Sequence, residues 1–215
     1  MPGELLVPTP TGTARVIADL ALRPRSTLVL GHGAGGGVQA RDLAALAAAL
    51  PSLRVNVLRV EQPWRVAGGR VAPAPARLDL AWTAVLAELA AERPGWLGGT
   101  LVVGGRSAGA RVACRTGRST GAAAVLALAF PLHPPGRPDV SRAEELVAAG
   151  LPTLVVQGDR DPFGRATSLP SGIRSVAMSY ADHGFAVSKS APITQGETLE
   201  RLTTAVVRWL RELRP

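Results

Sequence analysis

Cysteine is almost absent: the 215-residue chain has one, Cys114. A lone cysteine excludes an intramolecular disulfide, and no histidine or acid cluster has metal-ligand spacing. Lying just after a glycine-rich turn, Cys114 reads as a small buried thiol. Lysine is nearly missing too. Lys189 is the only one among 24 basic residues, and the formal net charge is +8. The arginines are scattered rather than grouped. With three phenylalanines and one tyrosine, the chain lacks the interleaved aromatic and basic residues on which nucleobases stack, so no nucleic-acid partner is expected. No apolar run approaches the ~20 residues that span a bilayer; the longest covers 122–132. The opening Met1-Pro2-Gly3-Glu4 lacks a basic leader. A soluble, cytoplasmic protein with no membrane association is expected. Hydrophobic residues at 47% and charged residues at 19% exclude disorder, and the length suits one domain with a sizeable core, residues 1–215.

What is present is an alternation of strands and helices. Two short apolar runs, 4–8 and 13–18, flank a Pro-Thr-Pro-Thr-Gly turn and read as an edge strand pair. A buried strand at 26–30 runs into the glycine-rich loop 31–37, and a helix follows over 39–50. A strand at 53–60 leads to a long irregular loop, 61–76, that carries Trp64. A helix over 77–92 stops at Pro94-Gly95. Thr100 to Val103 is a central strand that Gly104 and Gly105 end, and a helix runs to about Thr116. Strands at 121–130, 153–157 and 173–179 follow. A short helix lies at 141–149, where Ser141 and Glu144 have capping-box spacing. The closing helix covers 197–213, after a loop at 186–196. This order implies a mostly parallel central sheet with helices on both faces. Ligands in such sheets sit beyond the carboxyl ends of the strands.

The candidate chemistry lies at those ends. Gly105-Arg106-Ser107-Ala108-Gly109 is Gly-x-Ser-x-Gly between a strand and a helix, a turn that lifts a hydroxyl above the sheet edge. A serine hydroxyl needs a base to become a nucleophile. Histidine suits that role near neutral pH, and a carboxylate must hold its tautomer. The chain order Ser107, Asp161, His183 meets these needs. Asp159 and Asp182 compete as the acid; Asp161, locked behind by Pro162, is preferred. Among the other histidines, His32 is assigned a structural place under the glycine loop. His133 either lines the pocket or sits in a surface turn. An oxyanion needs two backbone N–H donors: Ala108, after the nucleophile, and Ala34, in the glycine loop. No Lys-Ser/Thr pair follows that loop, so it is not a nucleotide P-loop. Gly31-x-Gly33-x-Gly35 is also a poor dinucleotide fingerprint, because Glu61 stands too far along to end the next strand. No cofactor and no metal are called for.

Residues 30–36, 103–109, 130–136, 156–164 and 182–185 together resemble the α/β-hydrolase superfamily. Within it the chain is similar to the group of testis-expressed protein 30 and the KAT8 regulatory NSL complex subunit 3, over about residues 4–213. The resemblance implies an α/β-hydrolase fold, with Ser107 as nucleophile, Asp161 as acid, His183 as base, and Ala34 and Ala108 at the oxyanion. Dienelactone-hydrolase-like enzymes are similar but carry cysteine where this chain has Ser107. The connections from 130 to 153 and from Asp161 to His183 are too short for a lid. The pocket is therefore expected to be shallow, rimmed by Trp64, Leu132, His133, Phe163 and Phe185. A small-molecule acyl substrate, a small or accessible ester, follows. The alternatives are an amidase or peptidase with the same triad, and a non-catalytic interaction scaffold that keeps the fold.

Overall fold

The computed structural model describes residues 2–213. Eight strands form one sheet: β1 (Pro2–Thr9), β2 (Gly12–Asp19), β3 (Ser26–Gly31), β4 (Val55–Glu61), β5 (Thr100–Arg106), β6 (Ala124–Leu128), β7 (Thr153–Gly158) and β8 (Arg174–Met178). Their spatial order is β1-β2-β4-β3-β5-β6-β7-β8. The β1–β2 hairpin joins antiparallel, with Arg15 opposite Glu61 on β4. From β4 to β8 every pairing is parallel. The order reverses at β3, and the crevice beyond its carboxyl end is where such sheets bind ligands.

Among the described residues six α-helices flank the sheet: α1 (Arg41–Ala49), α2 (Pro63–Val66), α3 (Pro75–Glu92), α4 (Ala108–Thr116), α5 (Ala143–Val147) and α6 (Gln195–Glu212). Side-chain alternation along the central strands builds a core on each face. Val29, Val103, Val125, Ala127 and Val155 meet Leu78, Trp82, Val85 and Leu89 of α3 and the apolar face of α4. Leu28, Leu30, Val102, Leu126, Leu154 and Val156 meet Leu43 and Leu46 of α1 and Leu202, Val206 and Trp209 of α6. Between β6 and β7 the only helix is the five-residue α5, so no lid is inserted there. Among the described residues, no helix is long and apolar enough to cross a membrane.

Several boundaries differ from the sequence reading. Gly104 and Gly105 do not end β5, which continues through them to Arg106 because they still pair with Leu126 and Ala127 of β6. β4 runs to Glu61, so an acid does close the strand after the glycine loop. Its carboxylate accepts from Arg15, at 2.5 and 3.0 Å, which commits it to the hairpin and not to a ribose. The loop 61–76 contains the single turn α2, and α3 begins at Pro75. Ser141 and Glu144 form no capping box: α5 starts at Ala143, and Ser141 only accepts from the Ala143 amide. The reciprocal box is at the head of α6, where Thr194 and Glu197 satisfy each other's backbone amides. That box starts the helix two residues earlier than the apolar periodicity.

Cys114 lies on the buried side of α4 at 3% exposure. Burial, reinforced by the Glu145 carboxylate, pushes its thiol up to about 12. Reactivity follows the thiolate. Iodoacetamide is therefore expected to alkylate the folded protein at least ~100-fold more slowly than the unfolded chain, read by mass spectrometry over time. Equal rates in the two states would contradict this burial.

Candidate active site

β5, Ser107 and α4 form a tight strand–turn–helix. Ser107 has φ 54° and ψ −109°. A non-glycine residue held there is strained, and the surroundings must over-determine it. They do: the Ser107 amide donates to Leu128 O of β6 at 2.9 Å. The turn also needs backbones in contact. A Cβ at Gly105 would lie 2.4 Å from Gly31 O, and one at Gly109 would lie 2.3 Å from the same oxygen. Bare glycines thus let the ends of β3 and β5 and the first turn of α4 meet.

His183 sits in the loop after β8 and reaches back to the elbow. Its Nε2 is 2.9 Å from Ser107 Oγ, and its Nδ1 is 2.7 Å from Asp161 Oδ2. A carboxylate can only accept, so Nδ1 carries the proton and Nε2 is left as acceptor for the serine hydroxyl. Asp161 is 3% exposed. Its Oδ1 accepts from the Phe163 amide at 2.8 Å, and its Oδ2 accepts a second bond from Gln157 Nε2 at 2.8 Å. Three donors converge on this buried carboxylate and hold it in place. The Phe163 ring meets the His183 imidazole edge-on, with centroids 4.6 Å apart.

The glycine loop provides the other side of the site. His32 is buried beneath it, and burial lowers its pKa, leaving the ring neutral. The Gln62 amide donates to its Nε2 at 3.1 Å, so Nδ1–H donates to Gly33 O at 2.8 Å. Gln62 Nε2 in turn donates to Leu78 O of α3 at 3.2 Å. Ala34 and Ala108 line one small cavity of about 10 Å³, with Gln62, Trp64 and Trp82 behind it. Among the described residues neither the Ala34 nor the Ala108 amide donates to another backbone group.

Residues 24–211 match the alpha/beta hydrolase domain family. The chain belongs to that family. Among curated proteins none matches it. Solved hydrolase structures share its fold over nearly the whole length. XC6422 from Xanthomonas campestris, an α/β serine hydrolase without lid, is 21% identical, with a TM-score of 0.71 over 97% of this chain and 94% of its own. Est1E from Butyrivibrio proteoclasticus is 14% identical, with a TM-score of 0.73 over 98% of each chain. Dienelactone hydrolase from Anabaena variabilis is 17% identical, with a TM-score of 0.72 over 98% of each. At these identities the likeness is one of fold.

Within this hydrolase the other sequence candidates fall into place. Among the described residues Asp182 makes no hydrogen bond to the imidazole; its Oδ1 accepts from the Gly184 and Ala186 amides and shapes the histidine loop. Asp159 lies beyond β7 with a buried Oδ1 that has no partner. His133 is half-buried, its Nδ1 3.3 Å from Val140 O, and Phe163 and Trp64 are also half-buried. Two expected rim residues are not at the rim. Phe185 is 0% and Leu132 2% exposed, each built into a core cluster. Phe185 has φ 52°, which turns its ring inward under the loop. Gln157 was missed by the sequence reading. Its signal was available: a carboxamide in the mostly apolar β7, four residues before Asp161. Fully buried, it also donates to Gly164 O at 2.8 Å and so fixes the acid's turn to the strand.

Proposed function

We propose that this alpha/beta hydrolase cleaves carboxylic esters whose acyl group is small or accessible, through an acyl-enzyme on Ser107. The observation that carries the reading is the continuous line of hydrogen bonds from Asp161 through His183 to Ser107 Oγ, at 2.7 and 2.9 Å. His183 Nε2 takes the hydroxyl proton as Oγ attacks the ester carbon. The Ala34 and Ala108 amides bind the oxygen that becomes negative. The imidazolium is stabilised by Asp161 and returns the proton to the departing alkoxide. Water then attacks the acyl-enzyme with His183 again as base, and Ser107 leaves with the proton restored. Trp64, His133 and Phe163 flank the acyl and alcohol sides. The stretches 130–136 and 156–164 support a closer kinship with testis-expressed protein 30 and the KAT8 regulatory NSL complex subunit 3.

A fluorophosphonate probe is expected to label the folded protein once, on Ser107. Acetyl and butyryl p-nitrophenyl esters are expected to exceed the decanoyl ester in kcat/KM by about tenfold or more, since the site has no lid to enclose a long chain. Absence of labelling overturns the enzymatic reading. Preference for the decanoyl ester overturns the small-acyl part of it.

A further inference from the structure

Arg106 fills the variable position before the nucleophile, and a hydrolase elbow does not need a guanidinium there. Its side chain is 18% exposed and turns away from Ser107 toward α1. Burying such a group costs stability unless it is paired. Two partners meet it from different segments. Its Nη2 donates to the main-chain oxygen of His183 at 3.2 Å. Its Nε faces Asp42 Oδ2 at 3.9 Å, an ion pair without a hydrogen bond.

Asp42 sits in the first turn of α1, the helix that follows the glycine loop, and is 0% exposed. Arg106 is its ion-pair partner among the described residues. Burial raises this carboxyl above the usual carboxylate range, and Arg106 offsets only part of that rise. One guanidinium therefore joins the glycine-loop helix, the elbow and the histidine loop.

The histidine loop has reason to need a restraint. Tyr180 and Phe185 both hold positive φ, at 63° and 52°. The loop packs directly on the guanidinium: a Cβ at Gly184 would lie 3.0 Å from Arg106 Nη2. Asp161 holds the imidazole end of His183, but nothing in that bond fixes the backbone that carries the ring. Arg106 holds the carbonyl of the same residue.

We propose that Arg106 is a positioning residue, anchored by Asp42, that keeps the His183 backbone where the imidazole reaches Ser107. The inference rests on the serine-hydrolase reading above. Loss of the restraint is expected to displace the base by a fraction of an ångström to an ångström, which costs about 10- to 100-fold in rate. Substrate contacts are untouched, so KM is expected to stay within about twofold.

Arg106→Ala alone strands a buried carboxylate and lowers the melting temperature for that reason. The decisive variant is Arg106→Met with Asp42→Asn, which removes both charges and keeps the volume. It is expected to regain most of the melting temperature while kcat, and the rate of fluorophosphonate labelling, stay down about 10- to 100-fold. Arg106→Lys is expected to be intermediate, and millimolar guanidinium is expected to restore part of the kcat of Arg106→Ala. A double variant with kcat within about twofold of wild type overturns the proposal, because a purely structural role recovers with stability. A double variant that fails to fold leaves the Arg106→Lys and guanidinium results to decide: wild-type kcat in the first, or no recovery in the second, overturns it. A wild-type protein that neither hydrolyses esters nor takes the probe overturns instead the hydrolase reading on which this one stands.

Discussion

Replacing Ser107 with alanine is expected to lower ester kcat by about 10⁴-fold or more while the melting temperature moves by no more than a few degrees. The separation of the two effects follows from what the side chain does. Ser107 stands at the head of α4 yet caps nothing, since its hydroxyl accepts from no helix amide. Among the described residues its one side-chain hydrogen bond is with His183 Nε2, at 2.9 Å. Alanine keeps the same strained backbone and removes only the nucleophile. The residual rate expected is that of backbone donors and of binding alone. His183→Ala is expected to cost nearly as much, and the double variant little more than either, because the two side chains act as one unit. Steady-state kinetics with calorimetry decides the matter. A Ser107→Ala protein that retains a tenth of wild-type kcat would place the chemistry elsewhere.

A large loss of stability is expected from one methyl group two residues further on. Gly109→Ala puts a Cβ 2.3 Å from Gly31 O and 2.5 Å from Gly31 C. Both are backbone atoms of a central strand, so no side-chain rotation relieves the overlap. α4 or β3 must move. Overpacking of this kind costs about 3 kcal/mol or more, set against the ~1 kcal/mol that alanine gains over glycine inside a helix. In a domain of this length the net is expected to lower the melting temperature by roughly 5–10 °C. The shift also carries Ser107 away from His183, so activity falls with stability. Gly36→Ala is the matched control: its added Cβ meets nothing within 4 Å, and stability is expected to change by less than about 0.5 kcal/mol. Equal stability of the two variants would mean that β3 and α4 are not in contact as described.

These two glycines differ in a way that local pattern does not reveal. Both lie in small-residue stretches beside a strand end. Only the packing of α4 onto β3 makes one indispensable and leaves the other free. The aromatic residues divide the same way. Phe163 and Phe185 both follow strands and both read as rim residues. A left-handed backbone at Phe185 sends its ring into the core, while the Asp161 turn leaves Phe163 beside the imidazole.

The order of strands and helices, the elbow serine and the histidine after the last strand were legible from the chain alone, with Asp161 preferred over two rival acids. Buried parallel strands are continuous apolar runs, and the site must follow their carboxyl ends, so local composition carries both facts. Tertiary structure alone decided which carboxylate faces the imidazole, that Gln157 steadies it, and that Arg106 and Asp42 meet beneath the histidine loop. Those partnerships join residues far apart in sequence whose side-chain directions are set by turns and by the packing of neighbouring elements, and directions of that kind leave no periodic trace in the chain.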